Sequence, residues 1–193
     1  WNALCAAGEM YRANAVFSPD GSLVALTTFT PQVVVHNAQT GEEVTVLAGP
    51  GIGHIAFLDN DTLVGCCHDG KTRHWDIESG EVIEELDIAG WELTPDGTKA
   101  VTIDAKYVDT ENICFGFTVY DGRTGEELAR TEFDEPSLIN SMDIDQLGER
   151  LIVVTGPTER QLRVYTLATG ESLATINLGD YLGNQLVATT SDR

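Results

Sequence analysis

The chain has 193 residues, 42% hydrophobic and 22% charged, which fits a folded globular chain with a core and excludes a disordered one. Its 31 acidic residues against 11 basic ones give a formal net charge of −20, and with only Lys71, Lys99 and Lys106 as lysines it lacks the basic surface that nucleic acid requires. It holds no apolar run of about 18 residues and no positive, then apolar, then small-residue leader, so a membrane partner is excluded, a soluble chain is expected, and the expected location is the cytoplasm.

In chain order, residues 1–12 open with "WNALCAAGEM", which reads as the end of one strand and a further outer strand. The unit 13–48 follows, with "VFSPDGSLVAL" and then "VVVHNAQTGEEVTVL". In the first phrase Pro presets φ, Asp bonds back to the local backbone and Gly finishes the turn, which predicts a tight hairpin between two apolar strands. The second phrase predicts another hairpin, with Gly41 taking positive φ at its corner.

The same two phrases recur downstream. Unit 52–88 carries "FLDNDTLVGC" and "TRHWDIESGEVIEEL", unit 89–133 carries "LTPDGTKAVT" and "FTVYDGRTGEELART", and unit 137–178 carries "IDQLGERLIV" and "LRVYTLATGESLATI". A ring residue, His36, Trp75, Tyr120 or Tyr165, stands five positions before Gly41, Gly80, Gly125 or Gly170. Each unit therefore reads as four short antiparallel strands without helical periodicity. The tail 179–193 ends in "LVATTSDR", which aligns with "LVGCCHDG" at 63–70.

A lone four-stranded sheet of this size cannot cover both of its faces, so neighbouring units must cover one another. The expected fold is all-β: a β-propeller of four-stranded antiparallel blades, with four full blades and partial blades at 1–12 and 179–193. Chain 1–193 is read as one propeller segment, expected to be part of a longer propeller. A composite fifth blade, or two copies associating into a larger ring, are the alternatives.

The stretch "HDGKTRHWDIESGE" resembles the end of a repeat of the WD-repeat (WD40-type) propeller family, with Trp75 and Asp76 as the signature pair, and "VFSPDGSLVAL" resembles the first hairpin of such a repeat. The likeness runs along nearly the whole chain as blade pattern, and only blade 2 carries the full signature. It implies a structural role for Asp69, six positions before Trp75, in a buried network with a His, a Ser or Thr and the Trp. Two positions depart from it: Cys67 stands where the hydroxyl belongs, and His54 in "GIGHIAF" lies too close to the strand. Looser bacterial and quinoprotein-like propellers therefore stay open.

Asp69, Trp75, Asp76, Gly41, Gly80, Gly125 and Gly170 are assigned structural roles. His68, Asp69 and His74 beside Cys66 and Cys67 would be a metal or nucleophile candidate, but His74 alternates away from Trp75, so no metal or catalytic residue is assigned. Cys5, Cys66, Cys67 and Cys114 have no metal-type spacing and read as free, mostly buried thiols. "DIDQLGE" at 143–149 matches only the start of a calcium loop, since Leu147 and Val154 occupy ligand places, and reads as a plain hairpin turn. "GPGIG" at 49–53 precedes a strand rather than a helix, so it reads as a connection between blades and not a phosphate loop.

The link between second and third strands lengthens to "DAKYVDTEN", 104–112, in blade 3 and to "TGPTER", 155–160, in blade 4. Insertions on a rigid scaffold are where binding usually resides, so Lys106, Tyr107, Asp109, Glu111, Glu159 and Arg160 are the candidate rim contacts. The expected function is a noncatalytic scaffold, without cofactor, that presents this rim to a protein partner with a neutral or basic surface. A salt-adapted structural or cell-surface repeat protein, or the propeller of a quinoprotein-like enzyme, are the alternatives.

Overall fold

A computed structural model describes residues 15–27, 30–108, 111–137, 139–155 and 161–178; for residues 105–108, 111–114, 134–137 and 140 the description is of the backbone. The partial blades read at 1–12 and 179–193, with Cys5, lie outside the described residues. No described helix is long and apolar enough to cross a membrane.

Among the described residues, sixteen strands form four sheets, each a meander whose strands pair antiparallel in chain order. The first sheet is β1 Ala15–Phe17, β2 Leu23–Thr27, β3 Gln32–Asn37 and β4 Glu43–Ala48. The second is β5 Ile52–Phe57, β6 Thr62–Cys67, β7 Thr72–Asp76 and β8 Val82–Leu86. The third is β9 Glu92–Leu93, β10 Lys99–Val108, β11 Glu111–Asp121 and β12 Glu127–Ser137. The fourth is β13 Ile139–Ile144, β14 Arg150–Thr155, β15 Gln161–Thr166 and β16 Ser172–Asn177.

Two kinds of turn set these registers. Before the second strand of the first sheet, the Ser18 hydroxyl donates to Asp20 Oδ1 at 2.7 Å, that carboxylate accepts from Ser22 N, and Leu23 N donates to Ser18 Oγ. The third sheet repeats the circuit with Thr94, Asp96, Thr98 and Lys99. Between third and fourth strands the corner glycines Gly41, Gly80, Gly125 and Gly170 have φ of 74°, 71°, 76° and 73°. Each donates its N–H to the carbonyl four residues back, Asn37, Asp76, Asp121 or Thr166, at 2.9 to 3.0 Å. Positive φ is cheap only for glycine, which is why the corner repeats.

The chain divides into two compact units between Ala89 and Gly90. In the first, Ala25, Val33, Val35 and Leu47 of the first sheet pack with Ile52, Ile55, Phe57, Leu63, Cys67 and Trp75 of the second. In the other, Val101, Phe117, Val119, Ala129 and Phe133 of the third sheet pack with Met142, Leu151, Val153 and Tyr165 of the fourth. Each such buried Val, Leu or Phe contributes about 1.5–3 kcal/mol relative to exposure, which is how one sheet supports the next.

The third sheet corrects one expectation. Residues 104–108 and 111–112 are strand and not loop: β10 and β11 continue pairing past an irregularity between Asp104 and Ala105, with Lys106 opposite Ile113, Tyr107 opposite Asn112 and Val108 opposite Glu111. In the same sheet β12 pairs with β11 up to Ser137 opposite Cys114, with a register shift between Cys114 and Gly116. Alternation and turn chemistry locate where a hairpin starts, but ladder hydrogen bonding decides how far it extends.

Candidate functional site

The candidate rim residues divide by position. Lys106, Tyr107 and Glu111 stand on the extended β10–β11 ladder, with their side chains outside the described residues, and Asp109, Glu159 and Arg160 lie outside the described residues altogether. The ladder is 10 and 11 residues long. The second and third strands of the other sheets have 5 or 6. Among the described residues, the third sheet thus carries a two-stranded arm that the other three lack.

A second cluster surrounds the Trp-Asp pair. Trp75 is fully buried and its Nε1 donates to the Ala48 carbonyl at 3.1 Å. Asp76 Oδ1 accepts from the N–H and the hydroxyl of Ser79, capping the corner before Gly80. The Ser79 hydroxyl, then its N–H, hold the Asp76 carboxyl below the usual carboxylate range.

Asp69 does not join the Trp75 indole in a network, contrary to what the resemblance implied. Its two oxygens accept a fork from Arg73, Nη1 at 2.9 Å and Nη2 at 2.6 Å, while Arg73 Nε donates to Glu85 Oε2 at 2.9 Å. Lys71 pairs with Glu85 and, at 3.7 Å, with Asp87. Here β7 residue 73 stands opposite β8 residue 85, so the hairpin register places the guanidinium against the carboxylate. The Arg73 side chain is only 10% exposed, and a guanidinium in that setting is retained by fork-shaped pairing that a hydroxyl or imidazole cannot give.

The charges set the local chemistry. The Arg73 fork holds the Asp69 carboxyl low, and Lys71, followed by Arg73, does the same for Glu85. Asp69, aided by other contacts, raises Arg73 further above its ordinary value. Burial pushes the Cys67 thiol up, against the pull of Arg73 beside it. A thiol held protonated is a poor nucleophile, and committed carboxylates are poor bases, so the cluster is an electrostatic clamp. Cys66 and Cys67 are buried thiols outside any disulfide; Cys114 lies outside the described side chains. His74 is buried on β7 next to Trp75, and His68 follows β6 beside Gly51. Among the described residues no group of three or more His, Cys, Asp or Glu side chains could hold a metal.

The other two motifs are turns. At 143–149 Asp145 Oδ1 accepts from Glu149 N and Arg150 N around Gly148, which closes a hairpin. At 49–53 the chain passes directly into β5. Arg73, Glu85 and the Ala48 carbonyl were not singled out by sequence reasoning. The register about Gly80 was the available signal for the first two.

No known protein family matches the chain, and no curated protein does. Solved structures match, among them hydrazine synthase of Kuenenia stuttgartiensis, at TM-score 0.61 and 18% identity over 86% of this chain and 49% of that one. The fold is a β-propeller. At that identity the likeness carries the architecture alone, four-stranded antiparallel blades of which four are described. The chain spans about half the length of the solved chain it matches. In chain order, the four sheets are blades 1 to 4.

Proposed function

We propose that this chain is a noncatalytic protein-interaction scaffold of the WD-repeat type, which presents the β10–β11 arm of blade 3 to a protein partner. The observation that carries the reading is the arm itself: one of four equivalent hairpins is about twice as long as the rest. Extensions on an otherwise repeated scaffold are where recognition is usually placed. The formal charge of −20 steers the chain toward partners with neutral or basic surfaces and away from acidic ones. The cytoplasm is the compartment proposed for it.

The test replaces residues 105–115 with Asn-Gly, closing the hairpin at the Asp104–Gly116 pair with a turn suited to two strands. Intact and shortened chains are used to capture proteins from the source lysate. The expected outcome is one or more partners held by the intact chain and lost from the shortened one at equal thermal stability. A shortened chain that retains all of them overturns the assignment.

The acid excess favours a second reading, a structural repeat protein adapted to high salt, since carboxylate repulsion is relieved where salt screens it. A melting temperature that climbs steeply with molar KCl supports it. Full stability at low salt removes it.

A further inference from the structure

In antiparallel sheets directly paired residues share a face, and rows two residues apart share it too. Within each unit the buried interface joins the trailing face of one blade to the leading face of the next: Ala25, Val33, Val35 and Leu47 of blade 1 against Leu63 and Trp75 of blade 2, and Val101, Val119 and Ala129 of blade 3 against Leu151, Val153 and Tyr165 of blade 4.

Among the described residues, one face of blade 1 and one of blade 4 carry exposed apolar side chains instead. On blade 1, Phe17, Val24 and His36 form one row and Leu26, Val34 and Val46 the next. This is the leading face, and Val24 and Leu26 occupy the places, counted from the turn glycine, that Leu151 and Val153 fill fully buried in blade 4. Here both are partly exposed, and Phe17 is 66% exposed. On blade 4, Ile152 and Val164 share a row and Val154, Leu162 and Ile176 the next; Val154 is buried, while Ile152, Leu162 and Val164 are partly exposed. Ile176 lies six residues after its corner glycine, as Leu47 does; Leu47 is fully buried and Ile176 is 52% exposed.

We infer that these two faces bind each other between copies of the chain, the trailing face of blade 4 in one copy seating on the leading face of blade 1 in the next. Each face names its occupant by continuity with the interfaces already formed inside the units: a leading face takes a trailing face, and a second copy supplies one of each. Both faces are built mainly from Val, Leu, Ile and Phe, so the contact is hydrophobic and its two sides differ, making it head-to-tail rather than self-complementary. With −20 on each copy, the association strengthens as salt rises.

The experiment measures the mass of the full chain in solution by sedimentation across protein concentration, at low salt and in 1 M KCl, for the parent and for Phe17→Lys and Ile176→Lys. Both positions are exposed, so the variants are expected to melt as the parent does, and each adds positive charge, so repulsion cannot explain a loss. The parent is expected as a dimer or larger, and each variant alone as a monomer at concentrations where the parent associates, a shift of at least tenfold. Mixing the two variants restores one intact pair of faces and yields a one-to-one dimer that grows no further. A parent that stays monomeric in 1 M KCl, variants that associate like the parent, or a mixture that stays monomeric overturns the inference.

Discussion

The indole Nε1 of Trp75 donates to the backbone carbonyl of Ala48 at 3.1 Å, so the ring that signs the second blade is committed to the last residue of the first. The same ring rests against Gly49 and Gly65, where no side chain intervenes. Trp75→Ala is expected to cost about 3–5 kcal/mol by opening a cavity at the centre of the first unit. Trp75→Phe is expected to cost less, about 1–3 kcal/mol, because it keeps most of the apolar contact and leaves a carbonyl unpaired. Urea denaturation of the two variants checks the order.

Arg73 lies between two carboxylates, and its removal acts through what it leaves behind. Arg73→Ala is expected to destabilise by about 2 kcal/mol, since Asp69 would lose its forked partner and Glu85 would be left with Lys71. Arg73→Lys is expected to recover only part of the loss, because an ammonium cannot reproduce the two-pronged contact with Asp69. Thermal melts of parent and variants at equal salt give the ranking.

The corner glycines separate backbone strain from steric conflict. At Gly41 a methyl group would meet nothing within 4 Å, so Gly41→Ala is expected to cost about 1 kcal/mol for the left-handed backbone alone. At Gly170 the same methyl would fall onto Thr131 Oγ1, whose hydroxyl donates to the Gly170 carbonyl at 2.7 Å. Gly170→Ala is expected to cost about 1–3 kcal/mol more than Gly41→Ala, as overpacking does. Adding Thr131→Ala to Gly170→Ala should return part of that difference in a double-mutant cycle.

Acid sensitivity follows from the first-hairpin turns. The Ser22 N–H and the Ser18 hydroxyl lower Asp20 below its ordinary value. At Asp96 burial works in the opposite direction, but the bonds from Thr94 and Thr98 outweigh it and the net shift is downward. A carboxyl whose folded pKa lies below its unfolded one stabilises the fold at neutral pH, and that contribution is lost as pH falls through the folded value. The double variant Asp20→Ala, Asp96→Ala is therefore expected to melt below the parent at pH 7. The gap should close between roughly pH 5 and 2, and a gap constant across that range would contradict the linkage. Melting temperatures of both proteins in a pH series provide the measurement.

Features that depend on a few neighbouring residues were legible in the sequence. The left-handed corners at Gly41, Gly80, Gly125 and Gly170, the Asp20 and Asp96 turns and the hairpin at 143–149 are fixed by backbone sterics and by side chains reaching two to five residues along the chain. So was the need for blades to cover one another, because thin sheets with apolar residues on both faces have no other way to leave water.

Partner choice across strands was decided only by the tertiary structure. Whether Asp69 meets a hydroxyl or the Arg73 fork, and which carbonyl the Trp75 indole reaches 27 residues away, depends on register and on how closely two sheets approach. The strand character of 104–108 and 111–112 was settled in the same way, since polar residues that read as a loop in isolation become a ladder once a partner strand satisfies their backbone groups. Leu47 and Ile176 sit at the same offset from their corner glycines, yet one is buried and the other exposed. Leu47 packs against the next blade, Ile176 has no such contact among the described residues, and no local pattern of residues encodes that difference.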